Sequence, residues 1–273
     1  VNIEYAIAAA VGCAICNAVA AILQKIGSGK VTEITSYSPS VLLNLGKQLP
    51  YVMGLGLDLV AGVCTLIATN RLPLFLVQAI IASSVVLTAV MEHAFLKHKL
   101  QPRTYGSALV VLVGLSTLAL ASHSEPTAVA GHYLRSGIIG LPVFAAIVGM
   151  LAVKFNGKHS APLLAILSGI CFGLVSIVGR LLVYLHPIWL IAKNPLIWSL
   201  IVCGTLGVFF FTAALQRTLA TITNGIMLAV QTLVPTLVGI IFLGDTPRNG
   251  MWLLVWLGCT FAASGCVFMA ISG

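Results

Sequence analysis

Residues 49–70 read LPYVMGLGLDLVAGVCTLIATN, twenty-two residues with one charge, Asp58, tenth in the run. A stretch of eighteen or more apolar residues with so little charge reads as a membrane-spanning helix. Water cannot hydrate a carboxylate at the middle of such a span, so Asp58 is expected to face a partner or a cavity. Working outward, similar apolar runs occur at 3–24, 72–97, 104–122, 133–153, 161–186, 195–216, 219–243 and 249–271. The separators are short and carry breakers and charges such as Asn70-Arg71, Lys193-Asn194-Pro195 and Gly244 to Arg248. Residues 28–48 are more polar, with Lys30, Glu33, Pro39 and Lys47. They read as a short helical segment, either interfacial or buried among other helices. The expected fold is therefore all-α: a polytopic membrane protein of nine long transmembrane helices plus this segment.

Composition agrees. Of 273 residues, 59% are hydrophobic and 7% charged, and the mean hydropathy is +1.09. Soluble domains carry roughly 25% charged residues, so this chain cannot cover a water-facing surface. A soluble enzyme, a nucleic-acid-binding domain, a disordered tail and a disulfide-stapled secreted domain are excluded. The net charge of +8 comes from basic residues scattered between apolar runs. Such scatter sets topology, whereas a nucleic-acid footprint is a clustered patch. The expected partners are the lipid bilayer and a small-molecule or ion substrate, with no nucleic acid; a homo-oligomer is left open. The flank before the first run holds Glu4 and no Lys or Arg, unlike a signal peptide.

Counting Lys and Arg on alternate loops gives orientation. If 28–48 does not cross, nine basic residues fall on the cytoplasmic side and four outside; if it crosses, the split is seven against six. The C-terminus is cytoplasmic either way, the side of the N-terminus stays open, and the cell membrane is the expected location. An internal repeat favours a fifth element in each half. Asn70-Arg71-Leu72 through Gln78 matches Gln216-Arg217-Thr218 through Asn224, Pro102-Arg103 matches Pro247-Arg248, and Gly114 matches Gly258, at offsets of 146, 145 and 144. Extended upstream, this pairs 49–70 with 195–216, the first span with 133–153, and 28–48 with 161–186. The expectation is a 5+5 inverted repeat, 1–125 and 131–273, the construction of secondary transporters with a midplane site.

Several short motifs carry a family resemblance: Leu23-Gln24-Lys25-Ile26-Gly27, Gly54-Leu55-Gly56, Asn70-Arg71-Leu72-Pro73-Leu74 to Val77-Gln78, Ala214-Leu215-Gln216-Arg217 to Asn224, Val234-Pro235-Thr236 and Leu243-Gly244-Asp245. With them the chain resembles the drug/metabolite transporter superfamily, its EamA-type proteins and, less closely, its NIPA-type magnesium transporters. The resemblance implies five plus five helices and transport of a small metabolite or drug-like solute, with Mg²⁺ as the alternative. The chain departs from the pattern at Leu96-Lys97-His98-Lys99-Leu100, where an acid often stands; the second repeat keeps Asp245. A third class of function is a non-transporting membrane subunit that stabilises a larger complex.

The candidate pathway residues follow from the cost of polarity in lipid. Asp58 fits a proton or cation coupling site or the counter-charge of a cationic solute; the structural alternative is a carboxylate paired to Arg180 or protonated in place. Glu92 lies five residues before Lys97 and beside His93, which reads as a snorkelled pair near the membrane edge. Arg180 either binds an anionic group or anchors at the headgroups. Asn17, Gln78, Asn224 and Gln231 line a pathway or bond helices to one another. Pro235 should kink its helix and free a carbonyl. Gly169-x-x-x-Gly173 and the small-residue first span read as close helix packing, and Cys13-x-x-Cys16 as packing thiols. No phosphate loop, zinc spacing or nucleophile elbow is present, so no catalytic residue, cofactor or resident metal is expected.

Overall fold

The computed structural model describes residues 3–31, 34, 39–69, 74–97, 101–121, 132–154, 160–183, 195–242 and 247–272. Among them every regular element is helical: α1 (Ile3–Ser28), α2 (Pro39–Gly46), α3 (Leu49–Thr69), α4 (Leu74–Ala82), α5 (Ser84–Leu96), α6 (Pro102–Ala121), α7 (His132–Lys154), α8 (Ser160–Val183), α9 (Pro195–Arg217), α10 (Ala220–Phe242) and α11 (Trp252–Ser272), with a 3₁₀ turn at Arg248–Gly250. Helices are the form in which an open apolar chain satisfies its own backbone in lipid. Seven stretches are long and apolar enough to cross a membrane, six within single helices and one, Ala79–Leu96, running through α4 and α5, with Leu49–Thr65 and Phe144–Lys154 as shorter apolar stretches. Large side chains point outward, Leu59 at 76%, Leu253 at 72% and Ile271 at 77% exposure. That surface suits lipid and not water. The chain is an all-helical, multi-pass membrane protein.

The run expected as a single span at 72–97 holds one apolar stretch long enough to cross, Ala79–Leu96, with a tightened turn at Ser83. The Ser83 hydroxyl donates to the Ile80 carbonyl at 2.6 Å, and the amides of Val86 and Leu87 both reach the Ser83 carbonyl. A serine that bonds back onto its own helix competes with the regular ladder, and α4 passes into α5 there with the Ser83 backbone still in the helical region. The segment expected as a short element is an eight-residue helix, α2. At about 1.5 Å per residue it is far shorter than a bilayer core.

Contacts fix the direction of each helix. Lys25 bonds to the carbonyls of Leu215 and Thr218, Glu92 meets Ala220 and Thr221, and Arg217 meets Ala152, Val153 and Ser160. Gly27 abuts Tyr51, Ser107 lies by Gly265, and Gly225 by Met269. One end of the bundle therefore gathers the C-termini of α1, α5, α7, α9 and α11 with the N-termini of α3, α6, α8 and α10. Lys25, Lys97, Arg103, Lys154 and Arg217 lie towards it, and it is called the basic end below. Since α1 and α7 both finish here, they run parallel. The pairing of the first span with 133–153 in an inverted repeat requires them to run opposite ways. The packing instead gives α8 in the second half the position α1 holds in the first: α1 lies along α3, α4 and α5, while α8 lies along α9 and α10, and α7 sits outside on α8 and α9.

The glycines matched by the repeat do meet. A Cβ on Gly114 would strike the backbone of Ala262 and come 3.0 Å from the Gly258 carbonyl, and one on Gly258 would come 2.7 Å from Leu118 and 3.0 Å from the Gly114 carbonyl. Small residues let the antiparallel α6 and α11 approach backbone to backbone, as small-xxx-small surfaces do. The expected Gly169/Gly173 packing is present too, against Met227, Val230 and Val234 of α10.

Candidate functional site

On α3, the positions Tyr51, Gly54, Asp58, Ala61 and Thr65 form one stripe, three to four residues apart, that turns toward α1. Gly54 allows the close approach: a Cβ there would stand 2.7 Å from Gln24 Cγ and 2.9 Å from the Ala20 carbonyl. That proximity brings Gln24 Nε2 within 2.5 Å of Asp58 Oδ2, to which it donates. Gln24 is buried at 2% exposure, whereas Asp58 is accessible although protein atoms crowd around it. Both hold for a side chain at the edge of the α1–α3 contact. Asp58 is nine residues from the start of α3, about 14 Å along the axis and so near half the depth of a bilayer core. Its partner is the amide of Gln24. Arg180 lies on α8, but its side chain is outside the described residues.

Further along the same helix pair, Cys13 Sγ is 3.1 Å from Thr65 Oγ1, and Asn17 Nδ2 donates to Cys13 Sγ at 3.5 Å. Asn17 and Cys16 are half-buried. Cys13 is thus used in packing and hydrogen bonding, and among the described residues no group of three or more His, Cys, Asp or Glu could hold a metal.

Glu92 lies towards the basic end, at the depth its distance from Lys97 suggests, but it does not snorkel. It is fully buried. Its Oε1 accepts from the Ala220 amide at 2.8 Å, and its Oε2 accepts from the Thr221 amide at 2.8 Å and the Thr221 hydroxyl at 2.7 Å. It serves as an acid at the N-terminus of α10, where the unsatisfied amides and the helix dipole favour a negative charge. Lys25 does the converse at the C-terminus of α9, donating to the carbonyls of Leu215 and, at 2.7 Å, Thr218.

Around this α9–α10 turn the two halves are stitched together. Gln216 accepts from the Ile34 amide at 2.9 Å and donates to the Ser28 carbonyl at 2.8 Å. The Arg217 guanidinium reaches the carbonyls of Ile34 and Val153, both at 2.9 Å, and Ser160 Oγ, also at 2.9 Å. The hydroxyls of Tyr51 and Thr212 are 2.8 Å apart. Asn224 Nδ2 donates to Thr88 Oγ1 at 3.1 Å, which makes this buried amide an interhelical bond.

Away from the basic end the packing loosens. In α10, residues 220–226 are all buried, but nearly every position from 227 to 238 is half-exposed whichever way it points, Gln231 included. The helix continues through Pro235 to Phe242, with Gly173 facing Val234 and Pro235. Gln78 lies on α4, but its side chain is outside the described residues, as are Asn70-Arg71 and Leu243 to Asp245.

Gln24, Lys25, Tyr51, Thr212, Gln216 and Arg217 were not singled out as site residues by the sequence. A polar Gln four residues inside the end of an apolar span, and a Gln-Arg pair closing another, are the signals that point to them. Comparisons with protein-family models, curated proteins and solved structures find no match for this chain.

Proposed function

We propose that the protein is a secondary transporter of a small solute, a metabolite or drug-like compound, working by alternating access with Asp58 as the coupling or solute-binding carboxylate. The observation that carries this reading is the setting of Asp58. It is accessible at mid-depth, held on one oxygen by a buried amide, in a bundle tied at its basic end and loosened beyond residue 226 of α10. An accessible intramembrane carboxylate held by a buried amide fits a solute or ion path. Oxygen-ligated divalent cations draw on several oxygens; of the other acids in described helices, Glu92 is committed to α10 and Glu4 sits in the first turn of α1, about 30 Å along that helix from Gln24. This favours a monovalent cation, a proton or an organic solute over Mg²⁺.

Helix directions support nine crossings with α2 as the short non-crossing element. The positive-inside rule then sets the basic end and the C-terminus in the cytoplasm and the N-terminus outside, in the cell membrane. The matching positions of α1 and α8, and the meeting of Gly114 with Gly258, support an inverted repeat of four helices plus four, with α7 as the extra helix. Such repeats rock about a central site.

The test is flux into proteoliposomes, comparing a metabolite and drug panel with Mg²⁺ under a pH gradient, for wild type and Asp58→Asn. Solute-driven flux that Asp58→Asn abolishes or uncouples is expected. Flux indifferent to the substitution removes Asp58 from the mechanism. No flux from folded wild-type protein, with co-purification of another subunit, indicates a non-transporting partner instead.

A further inference from the structure

We infer that the α9–α10 turn is the gate at the basic end, latched by Lys25 and Glu92, and that the Glu92 carboxylate leaves the N-terminus of α10 when that end opens. The inference rests on the alternating-access reading above.

Four observations converge on it. First, all the side-chain hydrogen bonds described between residues before 125 and residues after 131 reach the stretch 212–224 of the second half or the chain beside it at Ser28 to Ile34. Among the described residues, the polar contacts across the seam gather at one end, while α6 and α11 meet along it through small and apolar residues. Second, both latch residues come from the first half and grip backbone of the second: a cation on the last carbonyls of α9 and an anion on the first amides of α10. These backbone groups have no partner within their own helices, so each is paired when the latch is shut and free for water when it opens. Third, Glu92 rides on α5, which follows α4 through a tightened turn at Ser83, where the Val86 amide takes a 3₁₀ bond to the Ser83 carbonyl. A 3₁₀ turn inside a longer helix often marks a hinge. Fourth, the Ser84 hydroxyl of α5 and the Thr223 hydroxyl of α10 are buried without a hydrogen-bond partner among the described residues. A buried hydroxyl left unpaired costs free energy, so the closed packing is not the best available to this interface.

A permanent staple would use the same contacts but never release them, and sidedness separates the two. The reporter is Gln231→Cys, on the half-exposed stretch of α10, labelled by a membrane-impermeant maleimide in right-side-out and inside-out vesicles. The parent chain, with its seven free cysteines, gives the background. In wild type the reporter should label mainly from the face opposite the basic end. In Glu92→Gln only one oxygen remains to accept from Ala220 and Thr221, and a charge-assisted bond is lost. Labelling from the basic face should then rise by about tenfold or more while labelling from the opposite face falls. Lys25→Met should shift the ratio the same way. An unchanged ratio in folded Glu92→Gln or Lys25→Met overturns the gate. If neither variant folds, hydrogen exchange of the wild type decides: the Ala220 and Thr221 amides must exchange by a local opening well before the buried core of α8, and exchange only with global unfolding makes the turn a static staple. The labelling needs no solute. A shifted ratio without any flux therefore counts against transport and not against the gate.

Discussion

Gly54 sits where α3 crosses α1, and a single methyl group there tests how the Asp58–Gln24 contact is built. In Gly54→Ala the new Cβ would stand 2.7 Å from Gln24 Cγ and 2.9 Å from the Ala20 carbonyl. Gln24 can give way, but the carbonyl is backbone. Reaching ordinary contact, which begins at 3.4 Å, needs the helices to part by 3.4 − 2.9, or about 0.5 Å. Overpacking of this kind costs roughly 1–3 kcal/mol. Gly56, two residues on, has nothing within 4 Å of its would-be Cβ and supplies the control. Both substitutions share the same propensity change of roughly 1 kcal/mol, so it cancels in the comparison. Gly54→Ala should therefore melt below Gly56→Ala by an amount equal to the overpacking alone, about 2–10 °C at the usual scaling. Tryptophan fluorescence during heating in nanodiscs measures this. The same displacement draws Asp58 away from Gln24, so flux should fall in Gly54→Ala and hold in Gly56→Ala. Two variants that melt together, or a Gly56→Ala protein that melts lower, refute the close α1–α3 packing on which the Asp58–Gln24 contact depends.

Other substitutions probe the remaining contacts. Arg217→Lys replaces a fork that reaches three segments with a single nitrogen, and breaking such buried charged bonds should cost about 3 kcal/mol or more; the yield of monodisperse protein and its melting temperature report it. Thr223→Val removes a buried hydroxyl that has no partner among the described residues, so thermal melting should show it unchanged or stabilised by up to about 1 kcal/mol. A double-mutant cycle of Thr88→Val and Asn224→Leu should return a coupling near 0.6 kcal/mol, the average for interhelical bonds in membranes; zero coupling means the amide is not bonded there. Gly114→Val drives a side chain into the backbone of Ala262, and size-exclusion chromatography should show loss of the folded species.

The spans were legible because lipid demands length and apolarity, which composition alone displays. The run 195–216 became Pro195–Arg217, and 249–271 became Trp252–Ser272. Close packing at Gly169 and Gly173 was legible for a similar reason, since a small side chain leaves room whatever its neighbour, whereas Gly114 and Gly258 stood out as repeat positions and their contact came from the structure. Direction was not. Apolar helices align easily, and only contacts at Lys25 and Arg217 reveal that α1 and α7 run parallel. Asp58 stood out as a lone charge in its run, but its partner did not, because Gln24 is distant in sequence and the glycine that admits it is on the other helix. Glu92 was misread for a physical reason. Its distance along the chain from Lys97 gave its depth but not its surroundings, and the start of a helix 128 residues away satisfies it better than a neighbouring lysine. The short helix expected within 28–48 is present as α2, but the hold of Gln216 and Arg217 on the stretch before it was not legible, because both are distant in sequence.

The central claim is that Asp58 is the carboxylate open to the solute path while Glu92 is sealed in the structure. Chemical modification measures that difference on the intact protein. Membrane vesicles are treated with a hydrophobic carbodiimide, with and without a transported solute, and the modified carboxylates are located by mass spectrometry of proteolytic fragments. The account predicts modification at Asp58, protection of Asp58 by the solute, and little reaction at Glu92. Modification of Glu92 with Asp58 unreactive, or reaction at Asp58 that no transported solute slows, contradicts it.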